Sequence, residues 1–309
     1  MQRLTLDDGV PENLKGSILA LGNFDGFHLG HQAVVGRAIQ RGFHERRPVI
    51  VATFDPHPVA FFKADAAPFR LTTLDQRERL FAHAGADAML VFNFDKGLAT
   101  TSAEDFVGEI LAKQIGAAGV VTGDDFTFGR GRKGDVVALR ELGALHGIAA
   151  EAVAPVRLDA GRISSGRIRE ALQAGDIAAA THLLSRDFAL EGIVQRGDSR
   201  GRELGYPTAN LELGDYLRPR YGIYAVRVTL EDGSEHPGVA SLGIRPTFQP
   251  PQELLEAHLF DFDGDLYGRK IEVALHAFLR DEAKFGTPDA LTAQMREDEA
   301  AARKLLALA

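Results

Sequence analysis

Two histidines three residues apart stand in 22-GNFDGFHLGHQ-32, directly behind the apolar run 17-SILALG-22. In a first helical turn, His28 and His31 share one face. A helix start also offers unpaired N–H groups and a partial positive charge, which suit an anion. Gly22 and Gly26 let backbone approach such a ligand closely, with Phe24 and Asp25 between them. A lone histidine here would read as a cap or as polar filler. A pair behind a strand and a glycine turn reads better as donors to phosphate. Metal ligation is the weaker reading, because no third histidine or carboxylate stands at a convincing spacing.

Further stretches carry reactive or charged groups. 53-TFDPHP-58 contains Asp55, Pro56, His57 and Pro58. 123-GDDFTFGRGRKGD-135 contains Asp125 and Arg132, and by itself reads as a solvated basic loop. 163-ISSGRIREAL-172 contains Ser164, Ser165 and Arg169, the serines being helix-cap candidates. In 197-GDSRGRELGYPTANLEL-213, Gly197, Gly201 and Gly205 with Arg200 and Arg202 make a flexible cationic loop suited to phosphates. Thr208 and Asn210 follow as oxygen donors of the kind Mg²⁺ accepts. Glu256 alternates with Leu255 and Ala257, so in a strand it projects from the opposite face. Alone, Glu256 is an ordinary strand glutamate and Arg280 an ordinary strand-end arginine.

The elements that must position these groups fall into two patterns. In the first half, 17-SILALG-22, 48-PVIVATF-54, 87-DAMLVFNF-94 and 118-AGVVTG-123 read as buried strands. Helical stretches at 31–45, 73–85 and 102–116 separate them, the last with Ser102 as N-cap, Asp105 as partner and Gly116 at the stop. Such alternation predicts a parallel sheet covered on both faces, whose ligands bind at the carboxyl ends of strands. A helix over 164–176 and a short one over 177–184, capped by Asp176, follow. Beyond Phe188 the period becomes two. Tyr224, Val226, Val228 and Leu230 alternate with Ala225, Arg227 and Thr229, and Ile271, Val273, Leu275 and Ala277 should share one face. With turn signals at 232-DG-233 and 263-DGD-265, this predicts an antiparallel sheet or barrel. A closing helix starts with Thr287 as cap and Pro288 at its first position. The change of pattern divides the chain into 1–185 and 186–309.

Composition bounds the class. At 309 residues, two domains are the usual expectation. There is no cysteine, which removes disulfides, thiolate metal sites and cysteine nucleophiles, and fits a reducing compartment. No apolar run reaches the roughly 20 residues of a membrane span, and the first residues lack a signal-peptide layout. A cytoplasmic protein without a membrane partner is expected. The net charge of −8 argues against nucleic acid, because the basic residues form only short local clusters. With no tryptophan, a flat aromatic ligand must stack on Phe or Tyr.

The fuller form GxFDGxHxGH resembles the adenylyltransferase half of the bacterial bifunctional riboflavin kinase/FAD synthetase family. The stretches 53-TFDPHP-58, 123-GDDFTFGRGRKGD-135 and 163-ISSGRIREAL-172 are similar to its FDPHP, G-x-DF-x-FG-x-x-R-x-G and SSxxIR elements, the last standing where relatives carry a lysine-bearing loop. In the second half, 197-GDSRGRELGYPTANLEL-213, 255-LEAHLFDFDGDLYGRKI-271 and 279-LRDEAKF-285 resemble the riboflavin kinase elements, in the family's order. Two departures are Ser241 in place of an asparagine, and 184-LSRD-187 in place of an LGRP linker.

The resemblance implies an α/β Rossmann-like nucleotidylyltransferase domain followed by a riboflavin kinase-like antiparallel β-barrel with a terminal helix. It implies ATP-dependent phosphorylation of riboflavin to FMN, then adenylylation of FMN by ATP to FAD and pyrophosphate, with Mg²⁺. It puts the general base on Glu256 and phosphate chemistry on His28 and His31. Nucleotide or phosphate contacts fall to Gly22, Phe24, Asp25, Gly26, Asp125, Arg132, Ser164, Ser165 and Arg169 in the first half. In the second half they fall to Gly197, Arg200, Arg202, Gly205, Thr208 and Asn210, the last two also as metal ligands. Flavin contacts fall to Asp55, Pro56, His57, Pro58 and Arg280. The partners implied are riboflavin, FMN, FAD and ATP, and self-association into a homo-oligomer stays open. Two other readings stay open: a nucleotidylyltransferase for another phosphorylated acceptor, and a flavin-binding carrier or regulator with decayed catalysis.

Overall fold

Six parallel strands form the first sheet: β1 (Gln2–Thr5), β2 (Ile18–Leu21), β3 (Val49–Asp55), β4 (Ala88–Asn93), β5 (Gly119–Gly123) and β6 (Ala149–Val153), in the order β1-β4-β3-β2-β5-β6. The computed structural model describes residues 1–63, 65–158, 161–196, 205–245 and 252–307. It divides into two units, Met1–Ala67 with Thr72–Ser164, and Pro68–Leu71 with Ser165–Ala309. The four apolar runs of the first half are β2 to β5. The two outer strands escaped the pattern because they bury little: only Leu4 of β1 is buried, and no residue of β6 is fully buried.

The central strands bury both faces. Leu19, Leu21, Ile50, Ala52, Leu90 and Phe92 face one layer, which the helical run Phe106–Ile115 covers with Phe106, Val107, Ile110, Leu111 and Ile115. Ile18, Ala20, Val49, Val51, Met89 and Val91 face the other. There α1 (Leu29–Glu45) contributes Val34, Val35 and Ala38 to the core. After the short α2 (Pro58–Phe62), α3 (Leu74–Ala84) contributes Phe81 to the same layer. Each such buried aliphatic or aromatic side chain stabilises by about 1.5–3 kcal/mol relative to exposure. The strand order reverses at β2: the chain proceeds to β3 and β4 on one side, then crosses to β5 and β6 on the other. The carboxyl end of β2 is therefore at a topological switch point, where open α/β sheets bind ligands. A two-stranded ribbon, β7 (Arg157–Leu158) and β8 (Gly161–Arg162), ends this unit's strands.

In the second unit, β9 (Phe188–Ile193), β10 (Ala209–Glu212), β11 (Gly222–Thr229), β12 (Glu235–Arg245), β13 (Gln252–Leu259) and β14 (Lys270–Arg280) form an antiparallel sheet in the order β10-β13-β12-β11-β14-β9. The Gln195 N–H donates to the Asn210 carbonyl at 2.9 Å, joining the two edges into a near-barrel. Tyr224, Val226, Val228 and Leu230 are buried, as their alternation predicts. Ala277 departs from the expected phase. The β11–β14 register shifts beside Ala225, and Ala277 packs with Ala225, Ala302 and Leu306 under the terminal helix Pro288–Leu305. A β-bulge sends the residues beyond it to the opposite face. The Thr287 hydroxyl caps that helix by accepting from the Ala290 N–H at 3.2 Å, with Pro288 in its first turn.

Candidate functional site

The segment leaving β2 is tightly wound. Phe24 and Phe27 have φ of 49° and 41°, and Gly26 has 86°. Bulky side chains in this region cost roughly 1–3 kcal/mol each and persist only where the surroundings hold them. The Phe24 ring is 1% exposed and fills the space a side chain at Gly22 would need. It meets His31 edge-on, centroids 5.3 Å apart, and also meets Phe81. His28 caps α1, its Nδ1 accepting from the His31 N–H at 3.2 Å. The two imidazoles stack, with centroids 3.6 Å apart and planes 14° from parallel. Gly30 makes room for this arrangement: a Cβ there would lie 3.1 Å from His28 Cε1 and 3.2 Å from Nδ1.

Asp25 does not reach outward. Its buried carboxylate accepts from the Thr72 N–H at 3.0 Å, and the Thr72 hydroxyl accepts from the Gly26 N–H at 2.9 Å. Thr73 then caps α3 in a reciprocal bond with Gln76, so the start of α3 grips the histidine loop. Arg77, also on α3 and only 2% exposed, joins this loop to the carboxyl end of β3. Its Nη1 donates to the Asn23 carbonyl at 3.3 Å and to the Thr53 hydroxyl at 2.9 Å, while Nη2 lies 3.9 Å from the Asp55 carboxylate. Beyond Asp55, His57 caps α2 by accepting from the Val59 N–H at 3.1 Å, and Pro58 occupies the first turn.

The other groups of this unit come from neighbouring loops. Asp125, after β5, pairs with Arg162 at 2.8 Å. The chain then passes Ile163, whose carbonyl lies 3.8 Å from the Gly30 Cβ position, to Ser164. Arg132, with φ 57°, donates from Nε to the Thr127 hydroxyl at 2.8 Å on an exposed turn. Ser165 begins the helix Ser165–Ala174 and belongs, with Arg169, to the second unit. There Arg169 donates to the Phe69 carbonyl at 2.8 Å and lies over the Phe69 ring.

The second unit sets its polar groups in a transverse row. Glu256 pairs directly with Asn210 on one side and Ser241 on the other, so the three project from one face, opposite the fully buried Leu255 and Ala257. Ile223 continues the row from Ser241 to Arg280. His258, two residues along the strand from Glu256, donates from Nδ1 to the Pro207 carbonyl at 2.8 Å and anchors the segment carrying Thr208. Gly205 has φ 82°. Gly197, Arg200 and Arg202 lie outside the described residues. Arg280 forks onto buried Asp298 of the terminal helix, at 2.8 and 2.6 Å. Nearby, burial and a hydrogen bond to Glu253 push the Tyr221 hydroxyl up to about 12. Burial opposes ionisation of Glu253, but donation from Tyr221 and Arg218 outweighs it and holds the carboxyl below its ordinary value.

Thr72, Arg77, Arg162 and His258 were not singled out by the sequence. A signal existed for Arg77, which shares the apolar face of α3 with Phe81 four residues later.

The first unit thus carries a histidine pair at the switch point of a parallel sheet, and the second a glutamate flanked by Asn and Ser on an antiparallel near-barrel. The family described as FAD synthetase matches residues 10–167, and that described as riboflavin kinase matches residues 184–306. A bifunctional riboflavin kinase/FMN adenylyltransferase of Escherichia coli (strain K12) is 39% identical over 95% of this chain and 94% of its own length. Its counterpart from Pseudomonas fluorescens is 41% identical over 96% and 95%. A crystal structure described as a macrolide-efflux protein from Streptococcus pneumoniae superposes with a TM-score of 0.86 at 30% identity, covering 98% of this chain and 99% of that one. Among the described residues of this chain, no helix is long and apolar enough to cross a membrane. The chain belongs to the bifunctional riboflavin kinase/FMN adenylyltransferase family.

Proposed function

We propose that this protein converts riboflavin to FMN in its second half, 186–309, and FMN to FAD in its first, 1–185, using ATP for both. The observation that carries the reading is the stacked His28–His31 pair at the start of α1, at the switch point of the sheet. It is supported by the family's order of motifs along both halves.

In the first half, the attacking group is the FMN phosphate, which is already ionised. The step needs no strong base. It needs in-line positioning at the ATP α-phosphorus and neutralisation of charge on the departing pyrophosphate. The helix start with His28 and His31 supplies donors for that charge, and Asp55 to Pro58 hold the flavin substrate. Asp25, whose carboxylate accepts from the Thr72 N–H, lies in the same loop for the nucleotide.

In the second half, Glu256 takes the proton of the riboflavin 5′-hydroxyl as it attacks the ATP γ-phosphorus. Asn210 stands directly beside it in the sheet. Thr208 and Asn210 offer hard side-chain oxygens, and Asn210 is buried next to the base, a donor set that fits Mg²⁺. These two residues would hold the ion, which neutralises phosphate charge when bound. Ser241 stands on the other side of Glu256, where the family carries asparagine.

Riboflavin, ATP and Mg²⁺ incubated with the purified chain should yield FMN and then FAD, with pyrophosphate release that depends on FMN. Pyrophosphate release without FMN, or no flavin product at all, would overturn the reading.

A further inference from the structure

We infer that Arg77 is a positioning residue for adenylyl transfer, acting as a buried tie between the histidine loop and the Asp55–Pro58 loop. The inference rests on the function proposed above for the first half.

A guanidinium taken out of water carries a heavy desolvation cost and is retained only where hydrogen bonds and counter-charge offset it. Arg77 is among the largest fully buried side chains of the protein. It reaches the loop that leaves β2 and the carboxyl end of the adjacent strand β3. On the first, Nη1 reaches the Asn23 carbonyl at 3.3 Å. At the end of β3, where the Asp55–Pro58 segment begins, the same nitrogen reaches the Thr53 hydroxyl at 2.9 Å, and Nη2 lies 3.9 Å from Asp55. The Thr53 hydroxyl itself donates to the Asn23 carbonyl at 2.8 Å, closing a triangle.

The location of that carbonyl matters. It immediately precedes Phe24, whose φ of 49° needs external support. The Phe24 ring in turn meets His31, and His31 stacks on His28. Asn23 is thus the point through which the fork fixes the histidine pair, while Asp55 is the point through which it fixes the second loop. The planar fork suits this task as an ammonium does not: one lysine nitrogen on a flexible stem cannot hold these separate acceptors in the same geometry.

The test uses the full-length chain carrying Arg77→Lys, which keeps the charge, and Arg77→Met, which removes it. FAD formation from FMN and phosphorylation of riboflavin are measured on one preparation, with kcat and KM separately for FMN and ATP. Both variants should phosphorylate riboflavin as the wild type does. Adenylyl transfer should fall by roughly 10- to 100-fold in kcat/KM, the scale of ångström-level misplacement, with KM raised for FMN and ATP alike. Lysine should restore only a minor part.

A ligand-free readout separates this inference from the proposed function. In Arg77→Lys, the ring-proton NMR resonances of His28 and His31 should shift, while those of His236, His258 and His276 stay in place. Unmoved His28 and His31 resonances would overturn the inference whatever the enzyme makes. So would folded variants with unchanged KM values and kcat, or a loss of activity that only follows the melting temperature. Absence of FAD formation by the wild type, with the resonances shifted as expected, would instead remove the proposed function and leave the positioning role standing.

Discussion

Replacing Gly30 by alanine should separate stability from catalysis. Inside a helix this change normally stabilises by about 0.5–1 kcal/mol, because glycine loses more backbone freedom on folding. Here the added Cβ would stand 3.1 and 3.2 Å from two atoms of the His28 ring. Ordinary carbon contacts are at roughly 3.5–4.0 Å, so the ring must withdraw by about half an ångström. His28 is stacked on His31 at 3.6 Å and bonded to its N–H, so the displacement disturbs both rings. Reacting groups tolerate about 0.5 Å, and a full ångström costs on the order of 100-fold. A loss of roughly tenfold in kcat/KM for FAD formation follows, about 1.4 kcal/mol in the barrier. The assay is FAD production from FMN and ATP, with riboflavin phosphorylation as internal control and thermal unfolding alongside. Full FAD-forming activity in Gly30→Ala would refute the reasoning. So would a loss that appears only with a lowered melting temperature.

Three further expectations concern the division of labour and the second unit. His28→Ala should abolish FAD formation while leaving riboflavin phosphorylation nearly intact, and Glu256→Gln should do the reverse; loss of both activities in either folded variant contradicts two separate sites. Glu253, held below its ordinary pKa, contributes stability that is present above about pH 4.3 and lost as pH falls through the lowered value. Tyr221, pushed up to about 12, contributes below about pH 10 and loses it above. Urea midpoints followed across pH should therefore show an excess of wild type over Glu253→Gln between roughly pH 5 and 9, shrinking on both sides. Asp298→Ala strips Arg280 of its forked partner and should destabilise the second unit by about 1–3 kcal/mol, read as a lower urea midpoint.

Much of the fold was legible because the central strands bury both faces and so read as continuous apolar runs. β1 and β6 were not, since edge strands need little apolar character. The phase of β14 was legible as far as Leu275. Ala277 escaped because a bulge shifts the register through backbone geometry, which strict alternation cannot encode. In the site, the histidine pair was visible from its spacing and the preceding strand. The reasons for its neighbours were not. Gly30 is marked by the motif, but only the structure shows that its missing side chain seats the His28 ring. Asp25 carries no sequence signal for Thr72, whose N–H donates to its carboxylate, because that partner lies 47 residues away. Arg77 looks like a surface charge, because buried arginines are rare and their partners arrive from distant segments.

The pairing of β1 with β4 sets an order of assembly. Gln2 faces Ala88, so β1 finds its neighbour only after β2, β3 and the helices α1, α2 and α3 have been traversed. Closing so long a loop costs chain entropy before any contact repays it, and β1 offers only Leu4 to the core in return. The strands that cradle the histidine loop, β2 with β3 and β5, can therefore associate without β1. Loosening of β1 is in this way insulated from the loop where adenylyl transfer is proposed, because β4 and β3 stand between them.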